Sequence, residues 1–459
     1  MDIEEKTFDD TVEEIIELLE NRQYRSAREE ILKNNGVDAA EILEEIIEEL
    51  GIKIAIVIFR MLPKDMSVEV FSYLTIDDQK DIINGITDVE LSYIIDELDF
   101  DDKIDVLEEL PANIVDKILE KSTKAERKLI NTFLNYPDDC AGSLMTPEYI
   151  SLQGSMTVRE ALKHIKNEGM DSETVYTCYV KSGGRKLEGI VSLRTLVISD
   201  DDALISDLMH TDFVDVNVYD DQEEVSDAFM KYGFLAIPVV DNEGRLVGIV
   251  TVDDIMDVIE EEATEDIERM AGVLSDDDDR EYLDISVWGH IKSRIMWLTL
   301  MMFTAMITGG ILGAFEDMLT PTLVCYIPLL MGTSGNAGNQ AATLVTRGIA
   351  VGDLDTDDVF KILWKEFRIS IGICLVLAGI NFIKVLVIDR VDITTAVIIN
   401  LSLVIIVIIA KMLGGLIPMA AKKLGIDPAL VANPLLTSLS DMISVVTYFA
   451  IASLMMTNV

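Results

Sequence analysis

The stretch MGTSGNAGNQAA, Met331–Ala342, decides how the C-terminal part of this chain is read. It lies in an apolar run long enough to span a bilayer, and it offers Asn336, Asn339 and Gln340 among small residues without a single charge. Uncharged oxygens at membrane depth suit an ion path better than a lipid-facing surface. Pro321 and Pro328 ahead of it predict an interrupted span whose freed carbonyls are satisfied by protein or by a watery cavity. Close packing through small residues accounts for the glycines, but not for the three carboxamides together.

Five segments are apolar enough to cross a membrane, at about 291–315, 321–346, 368–388, 393–421 and 428–457. Lys292, Arg294, Arg347, Lys361, Lys365, Arg368, Lys422 and Lys423 fall at one set of span ends, with Lys384 and Arg390 at the other. The first set belongs inside, which predicts a cytoplasmic N-terminus and an external C-terminus. The last segment holds a carboxylate, Asp441, near mid-depth, where a charge is costly unless it faces water or a counter-charge. Lys411 of the fourth segment is the one mid-depth cation that could pair with it, and a pore role for Asp441 is the favoured reading. One carboxylate with amides and hydroxyls is too little to cage a bare dication. It suits Mg2+, which sheds water reluctantly and is held through its hydration shell. A homodimer bringing Asp441 from each chain to a shared axis would double the negative charge.

Charge divides the chain as sharply as hydropathy does. Of 82 acids and 37 bases, eleven of each lie from Ser286 onward, which leaves 71 acids against 26 bases before it. Such a field repels nucleic acid and anionic lipid and concentrates cations. The four cysteines and three histidines are scattered, which argues against a thiolate-imidazole zinc site or a disulfide framework. The acidic N-terminus has no basic region before an apolar core, so no signal peptide is expected. No nucleophile–base set or phosphate-cradling loop points to an enzyme.

Residues 1–136 read as helical. Leu62, Leu74, Ile86, Leu98 and Leu110 recur every twelve residues, each followed by a turn or helix-start residue: Pro63, Thr75, Thr87, Asp99 and Pro111. That register predicts short stacked helices in a small superhelix. Beyond it, β-branched runs at 174–180, 189–192, 236–240 and 248–251 alternate with helical patterns. MTPEYISL at Met145 is echoed by MHTDFVDV at Met209, and GIVS at Gly189 by GIVT at Gly248. These halves resemble a tandem pair of cystathionine-β-synthase (CBS) domains, spanning 137–201 and 202–262. In such modules a Thr and an Asp three residues later commonly hold a ribose. Thr251 and Asp254 keep that pair, so the resemblance implies ATP or another adenine nucleotide as a candidate ligand, whereas the first half has Ser192 and Thr195. An acidic helix and loop, 263–287, lead into the membrane domain, 288–459.

Taken together, GTSGNAGNQAATLVTRGIAVGDL, DPALVANP with Asp441, YPDDCAGSLMTPEY and EEEATEDI occur in the order found in the MgtE-type magnesium channels, and the chain resembles that family over nearly its whole length. The resemblance implies a multidomain membrane protein: an α-helical superhelical N domain, an α+β CBS pair, a long connecting or plug helix and a five-span all-α pore domain. It implies a homodimer in the cell membrane that conducts Mg2+ and closes when cytoplasmic Mg2+ binds. Carried over by motif, Asn433 neighbours Asp441 in the pore. The sensor acids would be Glu69, Asp101, Asp105, Asp221, Glu223, Asp254, Asp257, Glu262, Glu265 and Asp266. Two positions depart from the family pattern: Gly233 stands where an acid is common, and Ser444 where glycine is usual. A broader Co2+ or Mn2+ transporter is the alternative within transport, and a membrane-anchored nucleotide sensor the alternative outside it.

Overall fold

The computed structural model describes residues 7–170, 172–274, 282–283, 285–316 and 320–456, without the side chains of 109, 113 and 431–434. It divides into two compact units, Met1–Ile259 and Glu260–Val459.

The first unit opens with helices α1 (Phe8–Glu20), α2 (Tyr24–Ile31), α3 (Gly36–Leu50), α4 (Ile52–Phe59) and α5 (Lys64–Ser72). It continues through α6 (Ile76–Gly85), α7 (Asp88–Glu97), α8 (Phe100–Glu109), α9 (Ala112–Lys121) and α10 (Lys124–Phe133). The twelve-residue register is their punctuation. Pro63, Thr75, Thr87, Asp99 and Pro111 are the N-cap residues of α5 to α9, while Leu62, Leu74, Leu98 and Leu110 are buried. The hydroxyls of Thr75 and Thr87 accept from the backbone N–H three residues on, which satisfies donors that every helix start leaves open. Asp99 makes no such bond. Its carboxylate is therefore available to other partners.

The CBS pair follows. Short helix α11 (Ala141–Leu144) precedes strand β1 (Tyr149–Leu152), helix α12 (Val158–Glu168), strands β2 (Thr174–Lys181) and β3 (Leu187–Ser192), and helices α13 (Leu193–Ile198) and α14 (Ile205–Leu208). The second half repeats the plan with β4 (Val216–Asn217), α15 (Gln222–Tyr232), β5 (Ala236–Val240) and β6 (Leu246–Thr251), and α16 (Val252–Ala271) leaves it. In each half a parallel strand pair is joined to an antiparallel one, in the orders β1-β2-β3 and β4-β5-β6. The halves exchange backbone pairs, Thr146 with Ile249 and Ile190 with His210. This explains the repeated glycines. A β-carbon on Gly248 would stand 2.7 Å from Met145 Sδ, and one on Gly189 would stand 3.0 Å from Met209 Sδ. The echoed methionine and glycine are thus the two sides of one contact made twice. Gly233 caps α15 in the left-handed region, φ 66°, a conformation an L side chain adopts only with strain.

One apolar core runs from the N-terminal helices into the second CBS half, including Phe71, Ile104, Phe133, Val218, Phe229 and Val258. Aromatic rings mark the junction: Phe100 to Phe133 at 4.7 Å, Phe133 to Tyr136 at 5.9 Å and Tyr136 to Tyr219 at 6.2 Å between centroids.

The described residues of the second unit form helices α17 (Val287–Ala314), α18 (Pro321–Ala350), α19 (Val359–Ile383) with a π-helical turn at Lys384–Ile388, α20 (Ile393–Leu424) and α21 (Pro428–Met456). Among the described residues, four stretches are long and apolar enough to cross a membrane: Val287–Ala314, Thr356–Ile388, Ile393–Leu424 and Leu435–Met456. Helix α18 has the length but not the apolarity, and it packs against α20 and α21.

The interruption expected at Pro321 and Pro328 is absent. Helix α18 is continuous through both prolines and through the whole amide-rich stretch. Pro321 sits at its first turn, where the missing N–H would have no partner in any case, and Pro328 is absorbed inside the helix. What the small residues do is bring helices together. A β-carbon on Gly414 would overlap the Gly338 carbonyl oxygen, and one on Gly338 would stand 3.3 Å from the Ala410 carbonyl oxygen. Any polar chemistry that α18 offers therefore comes from side chains and not from an unwound backbone.

Candidate functional site

Asp441 lies on α21 beside a cavity of about 330 Å3, whose wall is formed by Thr304 and Thr308 of α17, Thr437 and Ser438 of α21, and Met270 and Ala271 at the end of α16. The polar groups are tied to one another. Thr304 Oγ1 donates to Ser438 Oγ at 2.8 Å, and Asn339 Nδ2 donates to Thr437 Oγ1 at 3.2 Å. Of the three carboxamides, Asn339 is thus joined to α21 one helical turn from Asp441. Asn336 and Gln340 are exposed and do not line this cavity. The side chain of Asn433 lies outside the described residues. Ser444 is buried and donates to the Ser440 carbonyl at 2.6 Å, so its hydroxyl is satisfied within its own helix.

Lys411 pairs with Glu366 of α19 and not with Asp441. Its Nζ is 3.9 Å from Glu366 Oε2, and both residues are buried. The pairing was hidden in the sequence because Glu366 falls just ahead of the third apolar segment, whereas α19 begins at Val359. Removing one partner strands a charge in an apolar surround. Lys411→Met should destabilise the membrane unit by about 3–5 kcal/mol, and adding Glu366→Gln should recover most of the loss. Thermal unfolding in detergent checks this. Equal melting of wild type and single variant would contradict it.

The acids expected from the sequence as sensor ligands fall into two groups. In the first unit, Asp101 and Asp254 lie close together with Asp102, Asp253 and Glu173. Burial, reinforced by Asp254 and Glu173, pushes Asp101 up to about 9. Burial and neighbouring acids also push Asp102 and Glu173 up to about 7 each. Burial raises Asp254 too, against the stabilising hydrogen bond from Thr251 Oγ1 at 2.5 Å. Like charges are packed together here, and burial sharpens their mutual repulsion. Two further carboxylates, Asp99 and Glu148, join Glu173 in this region, and sequence reasoning passed over all three as candidate ligands. Asp99, Glu148 and Glu173 each present an oxygen within 4.8 Å of the other two, close enough for one metal ion to bridge. Asp99 was legible only as a helix start, and Glu148 and Glu173 meet it through the fold. Asp105 and Asp257 are exposed. Asp221 caps α15, accepting from Glu223 N at 2.9 Å, and Glu69 packs over the start of α3 at Gly36.

In the second unit, Glu262, Glu265 and Asp266 share α16. Arg269 pairs with Glu265 and, at 3.1 Å, with Asp427 just ahead of α21. Burial and Asp427 hold Asp266 above the usual carboxylate range, with Arg269 opposing. Asp427 thus belongs to the acidic face of α16, a contact across 158 residues that spacing could not disclose.

An acidic CBS-containing unit, followed by membrane-spanning helices with a carboxylate beside a polar cavity, defines a membrane ion transporter. The sequence profile described as "Divalent cation transporter" matches residues 327–451, that of the MgtE intracellular N domain 37–139, and that of the CBS domain 141–200 and 205–261. The chain is 36% identical to the magnesium transporter MgtE of Thermus thermophilus over 95% of this chain and 99% of that one. It is 31% identical to the magnesium transporter MgtE of Bacillus subtilis over 98% of each. The chain belongs to the MgtE family of magnesium transporters, and its work is transport and not catalysis. Among solved structures it is similar to the cytosolic domain of the Mg2+ channel MgtE in complex with ATP, with TM-score 0.50, 33% identity, and coverage of 54% of this chain and 99% of that one. The soluble part of a magnesium transporter matches at TM-score 0.50 and 32% identity, over 56% of this chain and 100% of that one.

Proposed function

We propose that this chain forms a homodimeric, Mg2+-selective channel in the cell membrane, with N-terminal domains in the cytoplasm, and that cytoplasmic Mg2+ closes it. The single observation that carries the reading is the placement of Asp441 beside a hydroxyl-lined cavity that the end of α16 also borders. An ionised carboxylate there attracts a dication, and the surrounding oxygens hold its waters without stripping them. Because Met270 and Ala271 stand at the same cavity, a shift of α16 changes access to Asp441 directly. Mg2+ uptake into proteoliposomes with Co2+, Mn2+ and Ca2+ as competitors tests transport and ion identity together. Transport of Mg2+ that an excess of the other ions leaves largely intact is the expected result, and equal competition by Co2+ or Mn2+ would replace it with a broader dication path.

The sensor in this reading is the crowded carboxylate region of the first unit together with the acidic face of α16. Bridging Mg2+ relieves the repulsion around Asp101 and Asp254 and favours the compact arrangement. Residues 1 to about 280 should therefore show a smaller radius of gyration in millimolar Mg2+ than in chelator, read by X-ray scattering. An unchanged radius and an unchanged proteolysis pattern would contradict the sensor role. An adenine nucleotide at the second CBS half is part of the same proposal. It is supported by Thr251 and Asp254 and by the ATP-bound cytosolic domain to which this chain is similar.

A further inference from the structure

The hydroxyls on the α17 side of the cavity have their protons already assigned. Thr304 Oγ1 lies 2.8 Å from the Met301 carbonyl oxygen and 2.8 Å from Ser438 Oγ, and its single proton is shared between these two acceptors. Thr308 Oγ1 donates to the Thr304 carbonyl oxygen at 3.2 Å. A hydroxyl has one proton and two lone pairs. With the protons of Thr304 and Thr308 directed into the protein, what each oxygen has left for the cavity is an acceptor. Asp441 opposite is an acceptor as well when ionised.

Two fixed acceptors beside a carboxylate discriminate among guests. Water bound to a metal ion turns its oxygen to the metal and both protons outward, so a hydrated cation is a donor over its whole surface. An anion or a neutral hydrogen-bond acceptor finds no partner in these three groups. Helical geometry fixes the polarity: the threonine hydroxyls are four residues apart on one face of α17, each bonded back to a carbonyl of the preceding turn.

We propose that Thr304 and Thr308 are specificity-determining residues, acceptors that read the water shell of the permeating ion beside Asp441. The inference rests on Asp441 being the pore acid. A small ion that holds its waters firmly presents an ordered set of outward protons, and Mg2+ is such an ion. Ca2+ is larger, takes a looser and more variable set of oxygen ligands, and gains less from fixed acceptors.

The test is the ratio of initial Mg2+ entry to initial Ca2+ entry in proteoliposomes holding the full-length protein. This ratio does not depend on how many molecules are active. Thr304→Val and Thr308→Val keep side-chain shape and remove the acceptor. Each should lower the ratio about 2- to 10-fold, the worth of one neutral hydrogen bond. Thr304→Ser, which restores the oxygen without the methyl group, should return the ratio toward wild type. An unchanged ratio in both valine variants overturns the inference. So does a Thr304→Ser ratio as low as that of Thr304→Val, since packing and not the oxygen would then be responsible. Should Thr304→Val yield no folded protein, Thr308→Val decides. Asp441→Asn is measured alongside: if it loses flux while the valine variants keep the wild-type ratio, this inference alone falls, and if it keeps full flux, the pore reading beneath it falls too.

Discussion

Asp441→Asn should abolish Mg2+ flux and leave a folded protein. The substitution preserves size and two polar atoms but removes the one acidic group that lines the cavity between α17 and α21 among the described residues. If Asp441 served structure, it would need a counter-charge, and the buried lysine that could have supplied one, Lys411, is paired with Glu366. A mid-depth carboxylate without such a partner is costly, and attraction of a cation gives it a reason to persist. Rescue of an Mg2+-uptake-deficient cell is a sensitive assay, with size-exclusion chromatography reporting the fold. Full growth at low Mg2+ with the Asn variant would remove Asp441 from the ion path.

Replacing Glu262, Glu265 and Asp266 together by Ala should leave Mg2+ flux intact and blunt its inhibition by internal Mg2+. These acids lie on α16 about one to two and a half turns from Met270 and Ala271, the residues that border the cavity. In the proposed mechanism Mg2+ bound across this face holds α16 at the cavity, and without Mg2+ repulsion among Asp266, Asp427 and their neighbours favours its departure. Arg269 complicates the charge balance. It pairs with Glu265 and Asp427 and so supplies part of the cross-link that a metal ion would make. The triple variant loses the Glu265 half of that link, so a modest rise in basal flux should accompany the loss of inhibition. Mg2+ entry into proteoliposomes preloaded with graded internal Mg2+ measures both. An inhibition curve identical to wild type would make α16 a tether.

Local rules reached far into this fold. The twelve-residue register of Leu62 to Leu110 announced five helix starts because an N-cap is a local device: a small polar residue or a proline is read by the next turn alone. The echo of Met145 in Met209 and of Gly189 in Gly248 marked the CBS halves because a glycine facing a methionine is needed once in each. Asp441 was legible because a lone acid in an apolar helix has few innocent explanations.

The misses were tertiary. Pro328 inside α18 suggested a break, yet contacts with α20 and α21, tight enough to exclude a side chain at Gly414, hold the helix together through it. Glu366 could not be matched to Lys411, nor Asp427 to Arg269, because the partners are on different helices. The triangle of Asp99, Glu148 and Glu173 draws one residue from a helix cap and two from the first CBS half. Thr304 and Thr308 look like ordinary small residues of an apolar span until Asp441 is placed across from them.

Current through the full-length protein in an excised patch, with Mg2+ the only permeant cation outside and the cytoplasmic face stepped from chelator to millimolar Mg2+, tests the account most directly. Openings in chelator that disappear reversibly on adding Mg2+ are the predicted result. Current that is the same in both solutions would contradict the claim that the ion closes its own path.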